Sequence, residues 1–313
     1  MSRKLTDWIV YIMARIAICA IQALPMRTCE SAAKLVAWLA TDVLSLRGKT
    51  TLSNLEKAYP ELTAAERRDI CRRMWVHLVV MICEIAHLPR RMHRTNWRRY
   101  ITIRDESGVV ECLLDPRPRV MVTGHFGNFE MAGYVSGLLG FPTYTIVRPL
   151  DNVYLNDYLA RFRGATGQFV LPKVGSADDV QRVLDAGEII ALLCDQHAGP
   201  KGCWVEFFEQ PTSSHKAVAL FPLSTRAPLL CIYGMRTGAP MHFEIGSPGW
   251  LDPDSDEEGD HDVRSVTRWY FERLEETVRR SPEQYWWVHR IWRGEPPKRA
   301  LNQLRKERER RAA

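Results

Sequence analysis

Val120-Met121-Val122-Thr123-Gly124-His125-Phe126-Gly127-Asn128-Phe129-Glu130 is the stretch on which the reading of the chain turns. Its apolar, partly β-branched start reads as a buried strand, its glycine-flanked polar residues as a turn, and the residues after them as a helix. A strand that passes through such a turn into a helix opens an α/β unit. On one regular helix His125 and Glu130 would point about 140° apart. With His125 in the turn and Glu130 in the first helical turn, the two side chains converge, and Gly124 and Gly127 make that geometry cheap. A carboxylate that holds an imidazole in one tautomer equips it to take a proton from a hydroxyl attacking a carbonyl, with no serine or cysteine nucleophile. Helix N-terminal amides around residues 126–129 are expected to face the oxyanion that develops.

Working outward, short β-branched runs alternate with amphipathic segments. Strands are expected near residues 119–123, 143–148, 168–171, 188–194 and 228–233, and helices near 128–139, 152–164, 176–186 and 214–226. This is the pattern of an α/β fold whose central sheet is mixed but largely parallel and flanked by helices. Residues 241–246 add a hairpin-connected strand and 262–280 a long helix. Upstream the chain is helical: residues 5–24 and 31–46 read as helices, and Thr63 with Glu66 forms a capping box that starts another. The expected organisation is a membrane-anchoring helix at 1–28, a helical region packed on the core at 29–105, the α/β core at 106–297 and a disordered basic tail at 298–313.

The 313 residues, 46% hydrophobic and 26% charged, can bury a sizeable core. Eight cysteines without a C-x-x-C pair fit reduced thiols on the cytosolic side rather than a disulfide framework or a zinc site. Of the net charge of +6, residues 298–313 supply +5. A second basic stretch, Arg90-Arg91-Met92-His93-Arg94-Thr95-Asn96-Trp97-Arg98-Arg99-Tyr100, suits anionic lipid head groups or nucleic acid. From Trp8 to Leu24 only Arg15 and Gln22 interrupt an apolar run, long enough to touch a membrane and marginal for spanning one. Arg15 within that run argues against a cleaved signal peptide. The acidic segment 252–262 lacks the glycine and terminal glutamate of a calcium loop, and Gly48-Lys49-Thr50 lacks the first glycine of a phosphate-binding loop. No G-x-S-x-G, H-E-x-x-H or G-x-G-x-x-G occurs.

His125-Phe126-Gly127-Asn128-Phe129-Glu130 resembles the H-x4-D/E block of the bacterial lipid A biosynthesis acyltransferase family (late-step lauroyl- or myristoyl-type), within the lysophospholipid and glycerolipid acyltransferase superfamily. Further blocks are similar in order: Asn54-Leu55 with Tyr59-Pro60, Arg148-Pro149-Leu150-Asp151-Asn152, and Arg161-Phe162-Arg163-Gly164. Asp195-Gln196 with Gly202 and Phe207-Phe208 follows, and Pro282-Glu283-Gln284-Tyr285-Trp286-Trp287-Val288-His289-Arg290 closes the set. The resemblance implies a membrane-associated O-acyltransferase on the cytoplasmic side of the inner membrane. It would move a fatty acyl chain from acyl carrier protein or acyl-CoA to a glycolipid hydroxyl, most simply of a lipid A precursor. His125 and Glu130 would be catalytic; Asn128, Arg148, Arg161, Arg163, Asp195 and Gln196 would bind substrate, with either arginine of the R-x-R able to serve.

The implied partners are the acyl donor, a lipid acceptor and an anionic membrane surface, with no nucleic acid, no metal and no cofactor beyond the acyl thioester. Independently of the resemblance, Arg148 and Asp195 each end an apolar strand, where α/β sheets place ligands. His197, the acidic segment and the basic tail depart from the family pattern and bear on the acceptor rather than the chemistry. Another phospholipid or glycolipid acceptor is the alternative within enzymes, and a non-catalytic basic membrane adaptor the alternative outside them. The dense tryptophans of the final block read as core or membrane-interface residues, and His289 and Arg290 are left without a catalytic role.

Overall fold

The computed structural model describes residues 3–104, 109–254 and 261–312. Among the described residues nine strands form in chain order: β1 (Ile101–Ile103), β2 (Arg119–Thr123), β3 (Thr143–Val147), β4 (Gln168–Pro172), β5 (Ile189–Leu193), β6 (Cys203–Phe207), β7 (Gln210–Ser214), β8 (Leu229–Arg236) and β9 (Phe243–Leu251). Seven of them make one sheet, ordered β1-β9-β8-β2-β5-β3-β4. Every pairing in it is parallel except that of β8 with β9.

Alternation along the strands sorts the core onto two faces. Val120, Val122, Ile190 and Leu192 pack with α8 (Ala177–Asp185), α9 (Ala217–Thr225) and α10 (Val263–Arg280). Met121, Ile189 and Leu230 point the other way, against Cys112 of α5 (Val109–Leu114). On that second face lies α6 (Phe129–Leu138), the helix that follows β2, with Ala132 beside Gly234 of β8. The chain leaving β5 instead passes through the β6–β7 hairpin into α9 on the first face. Connections that leave neighbouring strands to opposite faces open a crevice at the carboxyl ends of those strands. Here the crevice lies between β2 and β5.

Upstream lie α1 (Arg3–Ala23), α2 (Met26–Trp38), α3 (Gly48–Ala58) and α4 (Ala64–Arg91). The Thr63 and Glu66 capping box forms as read, starting α4. Helix α1 is apolar enough to cross a bilayer, with a mean hydropathy of 1.4, and no residue of it is buried. Both polar interruptions in it face protein. The Gln22 amide donates to the Ala86 carbonyl of α4 at 2.7 Å, and the Arg15 guanidinium lies 4.7 Å from the Tyr158 ring of α7 (Val153–Gly164). Trp8, Ile9, Val10, Met13 and Ile16 are left on the open side.

Five expectations of the fold change. The helix read at 31–46 instead runs over Met26–Trp38 and continues as a π-helical turn over Leu39–Val43. The core begins at β1, residues 101–103, rather than at 106. The helix read at 214–226 starts only at Ala217, because residues 210–214 are strand β7. The last strand runs over Phe243–Leu251, not 241–246. The tail is not disordered but helical: α11 (Lys298–Ala312) buries Ala300 and Leu304, four apart and thus on one stripe. Arg264 pairs with Glu307, and Arg308 with Glu206, to hold it against the body. All eight cysteines are free thiols, seven of them buried. Of the acidic segment, residues 255–260 lie outside the described residues; Asp252 pairs with Arg117, and Asp262 caps α10.

Candidate active site

The turn after β2 is where the quoted stretch does its work. Gly127 has φ +57°, and a Cβ there would lie 2.0 Å from the Gly234 carbonyl oxygen, so both the conformation and the space demand glycine. The turn is tied on three sides: Gly127 N–H donates to the Gln284 carbonyl (2.9 Å), Asn128 N–H to the Gly234 carbonyl (2.8 Å), and Trp286 N–H to the His125 carbonyl (3.0 Å). The amides of Gly127 and Asn128 are therefore spent on fixing the turn. This corrects the expectation that they face an oxyanion.

Asp195, at the end of β5, holds His125 twice. Its Oδ2 accepts the His125 backbone N–H at 2.7 Å and its Oδ1 lies 2.7 Å from the ring Nδ1. Asp195 is 3% exposed. Burial disfavours a charged imidazole, but the Asp195 charge and hydrogen bond outweigh it, so His125 titrates above the ordinary 6.5. Burial likewise works against the Asp195 carboxylate, and His125 holds it below the usual carboxylate range nonetheless. The ring of His125 is enclosed by those of Phe129, Trp286 and His289, with centroids 5.3, 5.2 and 5.0 Å away. Among the described residues its Nε2 is met only at 3.4 Å, by the exposed Gln196 amide nitrogen.

Glu130 does sit in the first turn of α6, but it does not orient His125. Its carboxylate is taken bidentately by Arg163 of α7, through Nε at 3.0 Å and through Nη2. The expected His125–Glu130 hydrogen bond is thus replaced by His125–Asp195 beside Glu130–Arg163. Of the R-x-R pair only Arg163 reaches the site; Arg161 is exposed, its Nε donating to the Asp157 carbonyl on its own helix. Arg148, at the end of β3, lies largely in solvent, 3.6 Å from Asp151.

Asn128 does not line the site either, which corrects its assignment to substrate. It is fully buried, caps α6 by accepting from Met131 N–H at 3.0 Å, and donates to Glu84 at 3.2 Å. Glu84 belongs to a group that sequence reasoning missed. Arg236 reaches both Glu84 oxygens at 2.6 Å, and the Met241 N–H adds a bond at 3.0 Å. Arg236 also donates to His77 Nδ1 at 2.7 Å, which puts the His77 proton on Nε2, where it donates to the Gly127 carbonyl at 3.2 Å. Burial first, and the Arg236 charge next, push His77 well below its ordinary value, so it stays neutral. The signal was a lone glutamate, Glu84, within the apolar residues of α4. Asn128→Ala removes the cap and one Glu84 bond. It should cost about 1–2 kcal/mol in urea denaturation while leaving the KM for the acyl donor unchanged, the outcome that separates a structural asparagine from a substrate ligand.

A cavity of about 930 Å³ opens beside these groups, lined by His125, Glu130, Arg163 and Gln196 at its polar part. Successive residues Ala191, Leu192, Leu193 and Cys194 all line it, so at the carboxyl end of β5 it draws on both faces of the sheet. A largely apolar space of this volume beside an oriented imidazole suits a fatty acyl group and the carbonyl it carries. Comparison with known proteins agrees. The chain is 22% identical over 261 residues, 82% of both chains, to the lipid A biosynthesis palmitoleoyltransferase of Escherichia coli (strain K12). It is equally similar, over the same span, to the lipid A biosynthesis acyltransferase of Shigella flexneri. Residues 1–294 match one family along nearly the whole chain, and by that match, with the crevice and its histidine in place, this protein belongs to the bacterial lipid A biosynthesis acyltransferases.

Proposed function

We propose that this acyltransferase moves a fatty acyl chain from a thioester, carried by acyl carrier protein or coenzyme A, to a hydroxyl of a lipid A precursor at the cytoplasmic face of the inner membrane. The observation that carries the reading is His125, fixed at Nδ1 by Asp195 and open at Nε2 to the cavity. With Nδ1–H donated to Asp195, Nε2 carries the lone pair. It takes the proton of the acceptor hydroxyl as the oxygen attacks the thioester carbonyl. The tetrahedral oxyanion collapses, the carbon–sulfur bond breaks, and the departing thiolate takes its proton from the His125 imidazolium.

Asp195 is the orienting carboxylate, and the Gln196 amide is placed to donate to the acceptor oxygen or the oxyanion. Glu130 supplies a second negative charge towards the imidazolium and anchors Arg163, whose Nη1 bonds to nothing among the described residues and is available to the substrate. The reaction as written consumes only the thioester and the hydroxyl. The outer side of α1, together with exposed Leu35, Trp38, Leu39, Val43, Leu44 and Leu46, forms the surface that lies on the bilayer. The arginines of 90–99 favour anionic head groups there.

The test uses radiolabelled acyl groups on acyl carrier protein and on coenzyme A, offered to the purified protein with a detergent-solubilised total lipid extract. Label enters a glycolipid, and its identity names the acceptor; absence of transfer from both donors overturns the reading. Arg163→Ala should raise the KM of one substrate about tenfold, the loss of one charge-assisted bond. Arg161→Ala should leave both KM values unchanged.

A further inference from the structure

The cavity that the catalytic groups line is also lined, where β3 and β4 run out, by a cluster of cations. Val147 and Pro172 are paired across β3 and β4, and the Lys173 N–H donates to the Val147 carbonyl at 2.9 Å. Arg148 and Lys173 therefore leave neighbouring strands side by side. Ser176 follows at the start of α8 and Lys216 at the start of α9, and all four residues line the same cavity. Helices α8 and α9 are nine residues each, and no side chain caps either N-terminus.

The cations are hardly neutralised. Lys173 and Lys216 pair with no acid among the described residues, and Arg148 has only the exposed Asp151 at 3.6 Å. The nearest acids of α8 are Asp178, which is exposed, and Asp179, which is taken by Arg182. Ser176 is 5% exposed, yet its hydroxyl bonds to nothing among the described residues while it lines the cavity. His215, next to Lys216, is held below its ordinary value by burial first and then by the Lys173 charge. Three cations, the cavity-facing hydroxyl of an otherwise buried serine and uncapped helix amides around one cavity match a compact, multiply charged oxyanion.

We propose that Arg148, Lys173, Ser176 and Lys216 form a binding site for a phosphate ester carried by one of the two substrates. The proposal rests on the acyl-transfer reading for the identity of its carrier. A phosphopantetheine arm presents such an ester on the donor, and a phosphorylated glycolipid presents one on the acceptor. In either case the site fixes the far end of a substrate whose reacting carbon lies at His125.

The test compares wild type with Lys173→Gln/Lys216→Gln and with Ser176→Ala on matched substrates: acyl-CoA against S-acyl pantetheine, and a phosphorylated glycolipid acceptor against its dephosphorylated form. Both lysines are exposed, so the double variant should melt with wild type. Wild type should prefer one phosphorylated member through KM, and the double variant should lose about tenfold of that preference with kcat retained. The pair affected names the carrier. Equal preferences in wild type and variant for both pairs, or a fall in kcat at unchanged KM, would overturn the site. Equilibrium dialysis with inorganic pyrophosphate reads the site without turnover: wild type retains the probe and the double variant does not. A protein that retains pyrophosphate but transfers no acyl group would instead point to failure of the acyl-transfer reading.

Discussion

His125→Ala should lower kcat for acyl transfer by about 10²–10⁴-fold, the range for removing a positioned general base. The KM values should change little, because the cavity walls that hold the acyl chain are untouched. The fold should survive, since Asp195 keeps its bond from the backbone N–H of residue 125. The wild-type rate should rise with pH through a midpoint above the 6.5 of an ordinary histidine, because only the neutral ring accepts a proton and Asp195 favours the charged one. Activity in His125→Ala within a few-fold of wild type, with the same pH midpoint, would remove the histidine from the mechanism.

Asp195→Asn should be nearly as damaging, about 10²–10⁴-fold in kcat, although the shape hardly changes. An asparagine amide can donate to Nδ1, which forces the ring proton onto Nε2, the atom that must accept one. The pH midpoint should also move, and its direction is fixed: without the Asp195 carboxylate, burial opposes the charged ring and only the smaller contribution of the Glu130 charge still favours it, so the midpoint falls. Glu130→Gln keeps a hydrogen-bond partner for Arg163 and should cost less than Asp195→Asn in the same assay. The reverse order would mean that Glu130 turns to His125 when substrate is bound.

How far the site could be read from sequence follows from the range of the interactions. The strand, turn and helix at 120–130 are set by local preferences, by a glycine that must take a positive φ, and by apolar alternation, so the sheet and its parallel order were legible. The partner of His125 was not. His125 and Glu130 are near in sequence, but Asp195 is 70 positions away and meets the histidine only because β2 and β5 are neighbours in the sheet. The resemblance placed Asp195 among the site residues without saying what it holds.

Asn128 misled for the opposite reason: a polar residue in a motif looks like a ligand until its bonds to Met131 and Glu84 are seen. The β6–β7 hairpin was missed because its turn puts Phe208 and Glu209 at positive φ, where Asn-Gly is the usual signal. The α11 helix was hidden by charge, since two buried residues carry its docking.

The strap from Gln284 to Trp286 has a consequence in time rather than space. Phe126 bridges to Tyr285 across the whole α/β core, and Asn54 clasps the carbonyls of Trp287 and His289 from the far end of the chain. A ribosome adding about 5–20 residues per second needs roughly 10–30 s to travel from the histidine to that strap. Through that interval the nascent polypeptide carries its apolar first helix and its imidazole, but not the strap that ties the backbone of the turn beneath that imidazole. The turn that carries His125 is therefore tied down on that side only after the exposed, apolar first helix has long since been made.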